Sequence, residues 1–153
     1  MSTTVPCLWF DDDGLSAAQR YVSLFPNSRI TSTSPGGPGG GPLTVSFTLD
    51  GREYAILNGG PSYPQSEAFS IQVACEDQAE VDRLWDGLID GGGAEGRCGW
   101  LKDPWGVSWQ VVPRRLHELL ADPDPDRAQR ATTAMLGMRR LVVAELEAAA
   151  DGR

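Results

Sequence analysis

Hydrophobic and polar positions along the chain follow one order of patterns twice. The first series opens with an apolar, β-prone run at 4–10. A stretch rich in acids at its start follows at 11–26 and has apolar residues at helical spacing, namely Leu15, Ala18, Val22 and Phe25. Strand-like runs then come at 28–34, 43–50 and 52–58. The last two are joined by Asp50-Gly51, which is a strong hairpin signal.

The second series repeats this order with little residue identity to the first. A strand-like run at 68–77 leads into a helix at 78–93 whose apolar face is Val81, Leu84, Trp85 and Leu88. A weak strand near 94–100 and two short strands, 100–103 and 107–113, follow. Beyond Pro113 the pattern is helical, with an amphipathic stripe of Ala128, Ala131, Met135, Met138, Leu141, Val142 and Leu146.

These patterns predict an α+β fold of two β-α-β-β-β modules with a C-terminal helical tail. We place the domain at 1–113, with module one at about 3–60 and module two at about 67–113, and the tail at 114–153. The Gly- and Pro-rich stretch 35–42 is predicted to be a loop. It is not followed by a helix, so it lacks the strand–loop–helix setting of a nucleotide-type site.

Composition and charge argue against several classes of partner and cellular location. The net charge of −8 over 153 residues argues against nucleic acid or an anionic membrane as partner. No apolar run approaches the roughly 20 residues of a membrane span, and the N-terminus lacks the pattern of a signal peptide. The three cysteines are widely spaced and odd in number, which indicates free thiols rather than a zinc site or disulfides. We therefore expect a cytoplasmic protein.

Strand alternation predicts which face of the sheet each polar residue of module two occupies. On the strand at 107–113, Gln110 shares a face with Ser108, while Trp109 faces the core. On the strand at 68–77, Ser70 and Gln72 share a face, and Ile71, Val73 and Cys75 pack on the other side. Cys98 and Trp100 are two residues apart and are predicted to share a face beside Gln110. Arg97 and Lys102 are expected to point elsewhere, on the strand or the turn.

Five stretches resemble a known superfamily: LWFDD at 8–12, LNGGP at 57–61, SIQVACEDQAEVDRLWDGL at 70–88, CGWLKDPWGVSWQVVP at 98–113, and RATTAMLGMRRLVVAELEAA in the tail. They are similar to the vicinal oxygen chelate superfamily of glyoxalases, extradiol dioxygenases and bleomycin-resistance proteins, and more closely to its PhnB-like branch. The resemblance implies the glyoxalase-like fold. Members of this branch often carry the label 3-demethylubiquinone-9 3-methyltransferase.

The resemblance also implies where a metal would bind in other members of the superfamily. Their ligands fall here near Thr4 or Pro6, near Asn58, near Ser70 or Gln72, and on Gln110. None of these residues is His, Asp or Glu, and the single histidine, His117, lies in the tail. Neutral amide and hydroxyl oxygens bind transition metals weakly, so we expect neither a metal nor another cofactor.

We expect the two modules to form a neutral cup that binds a small organic molecule, with no reaction established. Its expected ligand-binding residues are Asn58, Ser70, Gln72, Cys98, Trp100 and Gln110. Two alternatives stay open: a metal-dependent lyase, isomerase or dioxygenase, and a drug-sequestering protein of the bleomycin-resistance type. The resemblance further implies a homodimer, and the apolar tail stripe, which needs a surface to bury against, agrees with one.

Overall fold

A computed structural model describes residues 2–153, so Met1, at which the predicted domain begins, lies outside the described residues. The fold is α+β, with two four-stranded sheets and C-terminal helices. The predicted fold class is therefore confirmed. The chain divides into two compact units, of which the first ends at Ser66 and the second begins at Glu67.

The first unit contains one sheet and one helix. Its elements are β1 (Cys7–Phe10), α1 (Gly14–Leu24), β2 (Arg29–Ser34), β3 (Thr44–Leu49) and β4 (Arg52–Asn58). The strand order is β1-β4-β3-β2, with β1 parallel to β4 and the other neighbours antiparallel. The β3–β4 hairpin turns at Asp50 and Gly51, both of which have positive φ, as the sequence predicts. Between β2 and β3, the loop carries a single 3₁₀ turn at Pro38–Gly40.

Helix α1 packs closely on its sheet through three small residues and one tyrosine. It buries Gly14, Ala17, Ala18 and Tyr21, whereas the predicted face was Leu15, Ala18, Val22 and Phe25, so only Ala18 was placed correctly. A Cβ at Gly14 would lie 2.3 Å from Cγ2 of Ile56. The absence of a side chain there allows the helix to approach the sheet, which a search for large apolar residues does not detect.

The second unit repeats this arrangement and adds the tail. Its sheet elements are β5 (Ser70–Cys75), α2 (Gln78–Ile89), β6 (Ala94–Glu95), β7 (Trp100–Lys102) and β8 (Ser108–Pro113), in the strand order β5-β8-β7-β6. Strand β5 runs parallel to β8, and β7 is antiparallel to both β8 and β6. Helix α2 packs against this sheet and buries the four predicted residues, Val81, Leu84, Trp85 and Leu88.

The tail forms three helices, α3 (Arg114–Leu120), α4 (Pro125–Gly137) and α5 (Val143–Ala150). They enclose an apolar cluster with the end of β8, composed of Val112, Leu116, Leu119, Ala131, Leu141, Leu146 and Ala150. The predicted stripe is interrupted, because Met138 has extended backbone angles and α5 begins only at Val143. Met135 and Met138 pack against the cluster, so the tail buries its stripe within its own unit.

None of the five helices in residues 2–153 combines the length and the apolar character that crossing a bilayer would need.

Candidate functional site

Six side chains form two rows across one face of the second sheet. Strand register places Lys102, Ser108 and Ser70 side by side on β7, β8 and β5, and it places Trp100, Gln110 and Gln72 in the next row. Residues two apart on a strand share a face, so both rows lie on the same side. We call these six residues the site face.

Three of these side chains are linked by hydrogen bonds. Nε2 of Gln72 donates to Oε1 of Gln110 at 3.2 Å, and Nε2 of Gln110 donates to Oγ of Ser70 at 2.9 Å. Gln72 is exposed, while Gln110, Ser70 and Trp100 are half-buried. These four residues are among those predicted to share the site, and strand register places the other three next to Gln110.

The opposite face of β8 belongs to the core. Trp109 is fully buried, and its Nε1 donates to Oδ2 of Asp103 at 2.9 Å. Oδ1 of Asp103 accepts the backbone N–H groups of Trp105 and Val107, both at 3.0 Å. The Asp-Pro-Trp-Gly turn is thus organised by a buried carboxylate, and it fixes the register that turns Gln110 toward the site face.

Lys102 and Ser108 were not among the predicted site residues. Lys102 was expected to point elsewhere, but its register with Ser108 places it on the site face, two residues beyond Trp100. Nζ of Lys102 lies 2.6 Å from Oε1 of Glu67. Through its hydrogen bond and its charge, Lys102 lowers the pKa of the Glu67 carboxyl. Period-two alternation from Trp100 was the signal that would have found Lys102, and Ser108 was already predicted to lie on the face of Gln110 but was not included in the site.

Cys98 does not follow the alternation that was used to place it. Cys98 and Gly99 have φ values of 55° and 83°, and β7 begins only at Trp100. Their backbone N–H groups donate to the carbonyl oxygens of Met138 and Arg139 in the tail. A shared face for Cys98 and Trp100 therefore does not follow from their spacing, and we leave Cys98 out of the site face.

The side chain of Asn58 is buried in the first unit and forms hydrogen bonds to backbone groups. Its side chain is fully buried; Oδ1 accepts the backbone N–H of Gly14 at 2.9 Å, and Nδ2 donates to the carbonyl oxygen of Pro42 at 2.8 Å. It thereby joins the start of α1 and the end of the Gly-rich loop to β4. This differs from the expected ligand-facing position, because Asn58 shares the buried, helix-side face with Ile56. We leave it out as well.

The side chains present do not fit the metal site of the superfamily. Among residues 2–153 no group of three or more His, Cys, Asp or Glu side chains is arranged to hold an ion. At the implied positions, Oε1 of Gln110 already accepts a hydrogen bond from Gln72. His117 is exposed on α3. A transition metal prefers imidazole, thiolate or carboxylate ligands, and the site face offers amides, hydroxyls and one ammonium group.

The site face is suited to recognition by hydrogen bonds. An amide carries two N–H donors and an oxygen with two lone pairs, and a serine hydroxyl both donates and accepts. The indole of Trp100 adds an apolar surface beside them. Such a combination of a few polar groups with an apolar flank is typical of small-molecule sites.

Comparison with known proteins identifies relatives of the two modules. The family model described as 3-demethylubiquinone-9 3-methyltransferase matches residues 2–112. The chain is similar to the structure of a PhnB protein from Bacillus cereus with the same description, at 29% identity and a TM-score of 0.68, over 73% of this chain and 99% of that one. The resemblance to the PhnB-like branch is confirmed. No curated protein matches the chain.

Two further structures share the fold at lower identity. A protein from Pseudomonas aeruginosa has 19% identity and a TM-score of 0.62, over 74% of this chain and 98% of that one. A glyoxalase/bleomycin resistance protein from Albidiferax ferrireducens has 12% identity and a TM-score of 0.52, over 73% of this chain and 98% of that one. The family match ends at residue 112, so α3, α4 and α5 lie beyond it.

Proposed function

Because this chain belongs to the 3-demethylubiquinone-9 3-methyltransferase family, in its PhnB-like branch, we propose that it binds a small organic molecule on the site face. The observation that carries the proposal is the hydrogen-bonded chain from Gln72 through Gln110 to Ser70. Two amides and a hydroxyl beside an indole on one face of a sheet form a surface that can orient a ligand.

The chain of amides retains hydrogen-bonding capacity. Gln72 and Gln110 each use one N–H donor in it, which leaves the second N–H of each side chain and Oε1 of Gln72 for a ligand, as far as residues 2–153 are concerned. A ligand with a carbonyl or amide group matches these donors and acceptors. Its apolar body would lie against Trp100, because a flat apolar group gains most from an aromatic flank.

We propose ligand binding for this chain and not methyl transfer. The Gly-rich loop 35–42 joins β2 to β3, which are antiparallel neighbours, and contains only a 3₁₀ turn at Pro38–Gly40. A nucleotide-type cradle instead needs a strand, a glycine loop and a following helix. The Bacillus cereus relative carries the methyltransferase description, and we do not transfer that reaction to this chain.

A thermal-shift screen of metabolites and antibiotics tests the proposal. A compound that prefers the native state raises its melting temperature by mass action. For each hit, we expect Gln110→Ala and Gln72→Ala to weaken binding by about 1 kcal/mol or more. Gln19→Ala, on the exposed side of α1, is the matched control and should bind as the wild type does. Hits that bind equally to the wild type and to both site variants would overturn the proposal.

We also propose that binding requires no metal. The support is the set of neutral oxygens at the implied ligand positions and the hydrogen bond that Oε1 of Gln110 already accepts from Gln72. Elemental analysis of the dialysed protein should therefore give well under one equivalent of any transition metal. One equivalent of zinc, nickel, iron or manganese that is lost in Gln110→Ala would instead favour a metal-dependent enzyme.

A homodimer is proposed from the family resemblance alone. The tail stripe no longer argues for one, because Leu141 and Leu146 are covered by the tail's own cluster. Light scattering at micromolar concentration should give about twice the chain mass of 16.5 kDa. A mass equal to one chain at that concentration would contradict the dimer.

We propose a cytoplasmic location, supported by Cys7, Cys75 and Cys98, which are all free thiols. Fractionation of cells that express the tagged chain should recover it with cytosolic markers. Recovery with membrane or exported markers would contradict this.

A further inference from the structure

The first row of the site face consists of groups that can donate hydrogen bonds. Lys102, Ser108 and Ser70 are direct cross-strand neighbours on β7, β8 and β5. Neighbouring strands lie about 4.8 Å apart, so a lysine and two serines start from adjacent backbone positions on one face. Lys102 is also the only lysine in a sequence that otherwise uses arginine for its basic residues.

Ser108 has an unusual environment within this row. Its side chain is buried, with 1% of the residue exposed, and within residues 2–153 its Oγ has no hydrogen-bond partner. Ser70, its neighbour on one side, already accepts a hydrogen bond from Gln110. A buried hydroxyl without a partner is uncommon in native proteins, because it loses its hydrogen bonds to water and forms none within the protein. A bound ligand could supply the missing hydrogen-bond partner.

The ion pair beside Ser108 joins β7 to the segment that leads into β5. Lys102 lies on β7 and Glu67 precedes β5 by three residues, with β8 between these strands. The register partner of Lys102 on β8 is Ser108, so the lysine end of the pair lies beside that hydroxyl. Both side chains are largely exposed, 42% for Lys102 and 64% for Glu67. Exposed pairs contribute little to stability, so Glu67 is exchangeable for another anion.

We propose that a carboxylate group of the ligand replaces Glu67 at Lys102 and accepts the hydroxyl hydrogen of Ser108. The exchange keeps Lys102 paired and gives Ser108 its missing partner. The same ligand would place its body over the second row, against Trp100 and the amides of Gln110 and Gln72. This inference rests on the proposed function, and it narrows the ligand class to organic carboxylates with a flat apolar body.

The charges of the site favour a monoanion. One ammonium group faces the ligand, and the displaced Glu67 carboxylate stays close by on the chain. A dianion such as a phosphate monoester would meet one compensating charge and a nearby like charge within a protein of net charge −8. A carboxylate matches one ammonium and one hydroxyl.

The single lysine makes the proposal directly measurable. Protein grown with lysine labelled with carbon-13 at Cε gives one Hε–Cε signal from the chain, that of Lys102. Benzoate serves as the probe because it combines a carboxylate with a flat apolar ring, and benzamide is its neutral counterpart. We expect the Lys102 signal to shift saturably with benzoate and to stay in place with benzamide, with affinities measured by titration.

Three variants separate the contributions. Glu67→Gln removes the competing anion and should raise benzoate affinity about two- to fivefold. Lys102→Met should lower it roughly tenfold, and Ser108→Ala by about three- to tenfold. Ser108→Ala should also leave the free protein as stable as the wild type or more stable, because it removes a buried hydroxyl without a partner. Glu53→Gln, an exposed position in the first unit, is the matched control.

The outcomes distinguish this inference from the proposed function. Benzoate that fails to shift the Lys102 signal, or that binds Lys102→Met and the wild type equally, overturns the inference. Unchanged or weaker benzoate binding in Glu67→Gln overturns it as well. If benzoate fails these tests while a neutral hit of the thermal-shift screen binds in a Gln110-dependent way, the proposed function stands and only the carboxylate inference fails.

Discussion

The indole Nε1 of Trp109 donates a hydrogen bond to Oδ2 of Asp103 at 2.9 Å, and both residues are buried. This contact ties the strand that carries Gln110 to the turn that precedes it. Because Gln110 follows Trp109 directly, the side chain that anchors the core also determines that the amide points to the site face. The turn is therefore a structural support of the site.

Asp103→Ala should destabilise the protein strongly. It removes the acceptor of the Trp109 indole and of the backbone N–H groups of Trp105 and Val107. Each buried donor left without a partner costs about 1–3 kcal/mol. Urea denaturation measures the loss in the free energy of unfolding. Asp12→Ala, on an exposed residue, is the control and should stay within about 0.5 kcal/mol of the wild type. Equal stability of the two variants would contradict this role for Asp103.

Trp109→Ala should mainly lower the stability of the fold, whereas Gln110→Ala should mainly weaken ligand binding. Removing the buried indole costs about 3–5 kcal/mol. Gln110 is half-buried, and its truncation leaves Gln72 exposed to solvent and Ser70 able to bond to water. We therefore expect Gln110→Ala to change the free energy of unfolding by less than about 1 kcal/mol while weakening ligand binding. A large loss of stability in Gln110→Ala would show that the amide chain is structural.

The sequence predicted the features that depend on regular periodicity. The buried face of α2, the Asp50-Gly51 hairpin and the opposite facing of Trp109 and Gln110 follow from periods of 3.6 and 2 and from turn chemistry. The period-two rule fails at Cys98, because two consecutive residues with positive φ precede β7. Positive φ is uncommon for residues other than glycine, so the sequence alone does not predict it at Cys98.

Two other differences have their origin in tertiary contacts. Asn58 bonds to the start of α1 and to the loop end at Pro42, which are 44 and 16 residues away in the sequence. The tail helix ends near Met138, where Arg140 turns to pair with Asp82 at 3.1 Å and to lie over the ring of Trp85. Contacts across such separations decide side-chain direction, and local patterns do not encode them.

The LNGGP stretch provides a test of close packing. A Cβ on Gly59 would lie 2.3 Å from the indole of Trp9, whose Nε1 donates to the carbonyl oxygen of Gly60 at 2.8 Å. Gly59→Ala must displace a ring that also contacts Tyr63 edge-on. We expect a loss of about 1–3 kcal/mol, measured by thermal or urea unfolding.

Gly137→Ala is the matched control for Gly59→Ala. Gly137 is the last residue of α4, and nothing lies within 4 Å of a Cβ added there. Alanine restricts the unfolded chain, so the variant should be as stable as the wild type or more stable by up to about 1 kcal/mol. Equal effects of the two substitutions would show that the Trp9 contact does not constrain Gly59.

The last prediction concerns the pH dependence caused by Cys75. Burial is the main cause that raises the pKa of this thiol to about 12 from an ordinary value of 9.0, and the charge of Glu80 adds to it. The native state therefore keeps the thiol proton between pH 9 and 12, while the unfolded state loses it. The contribution of Cys75 to stability is fully present below pH 9 and is lost as the pH rises through this window, by about 1.4 kcal/mol per pH unit.

Cys75→Ala removes this contribution and should flatten the decline of the unfolding free energy between pH 9 and 12 relative to the wild type. Thiol labelling at pH 8 gives an independent measurement. Cys7, which is exposed, should react in the native state, whereas Cys75 should react only after unfolding, because the thiolate is the reactive form and burial disfavours it. Parallel stability curves for the wild type and Cys75→Ala, together with rapid native labelling of Cys75, would contradict the raised pKa.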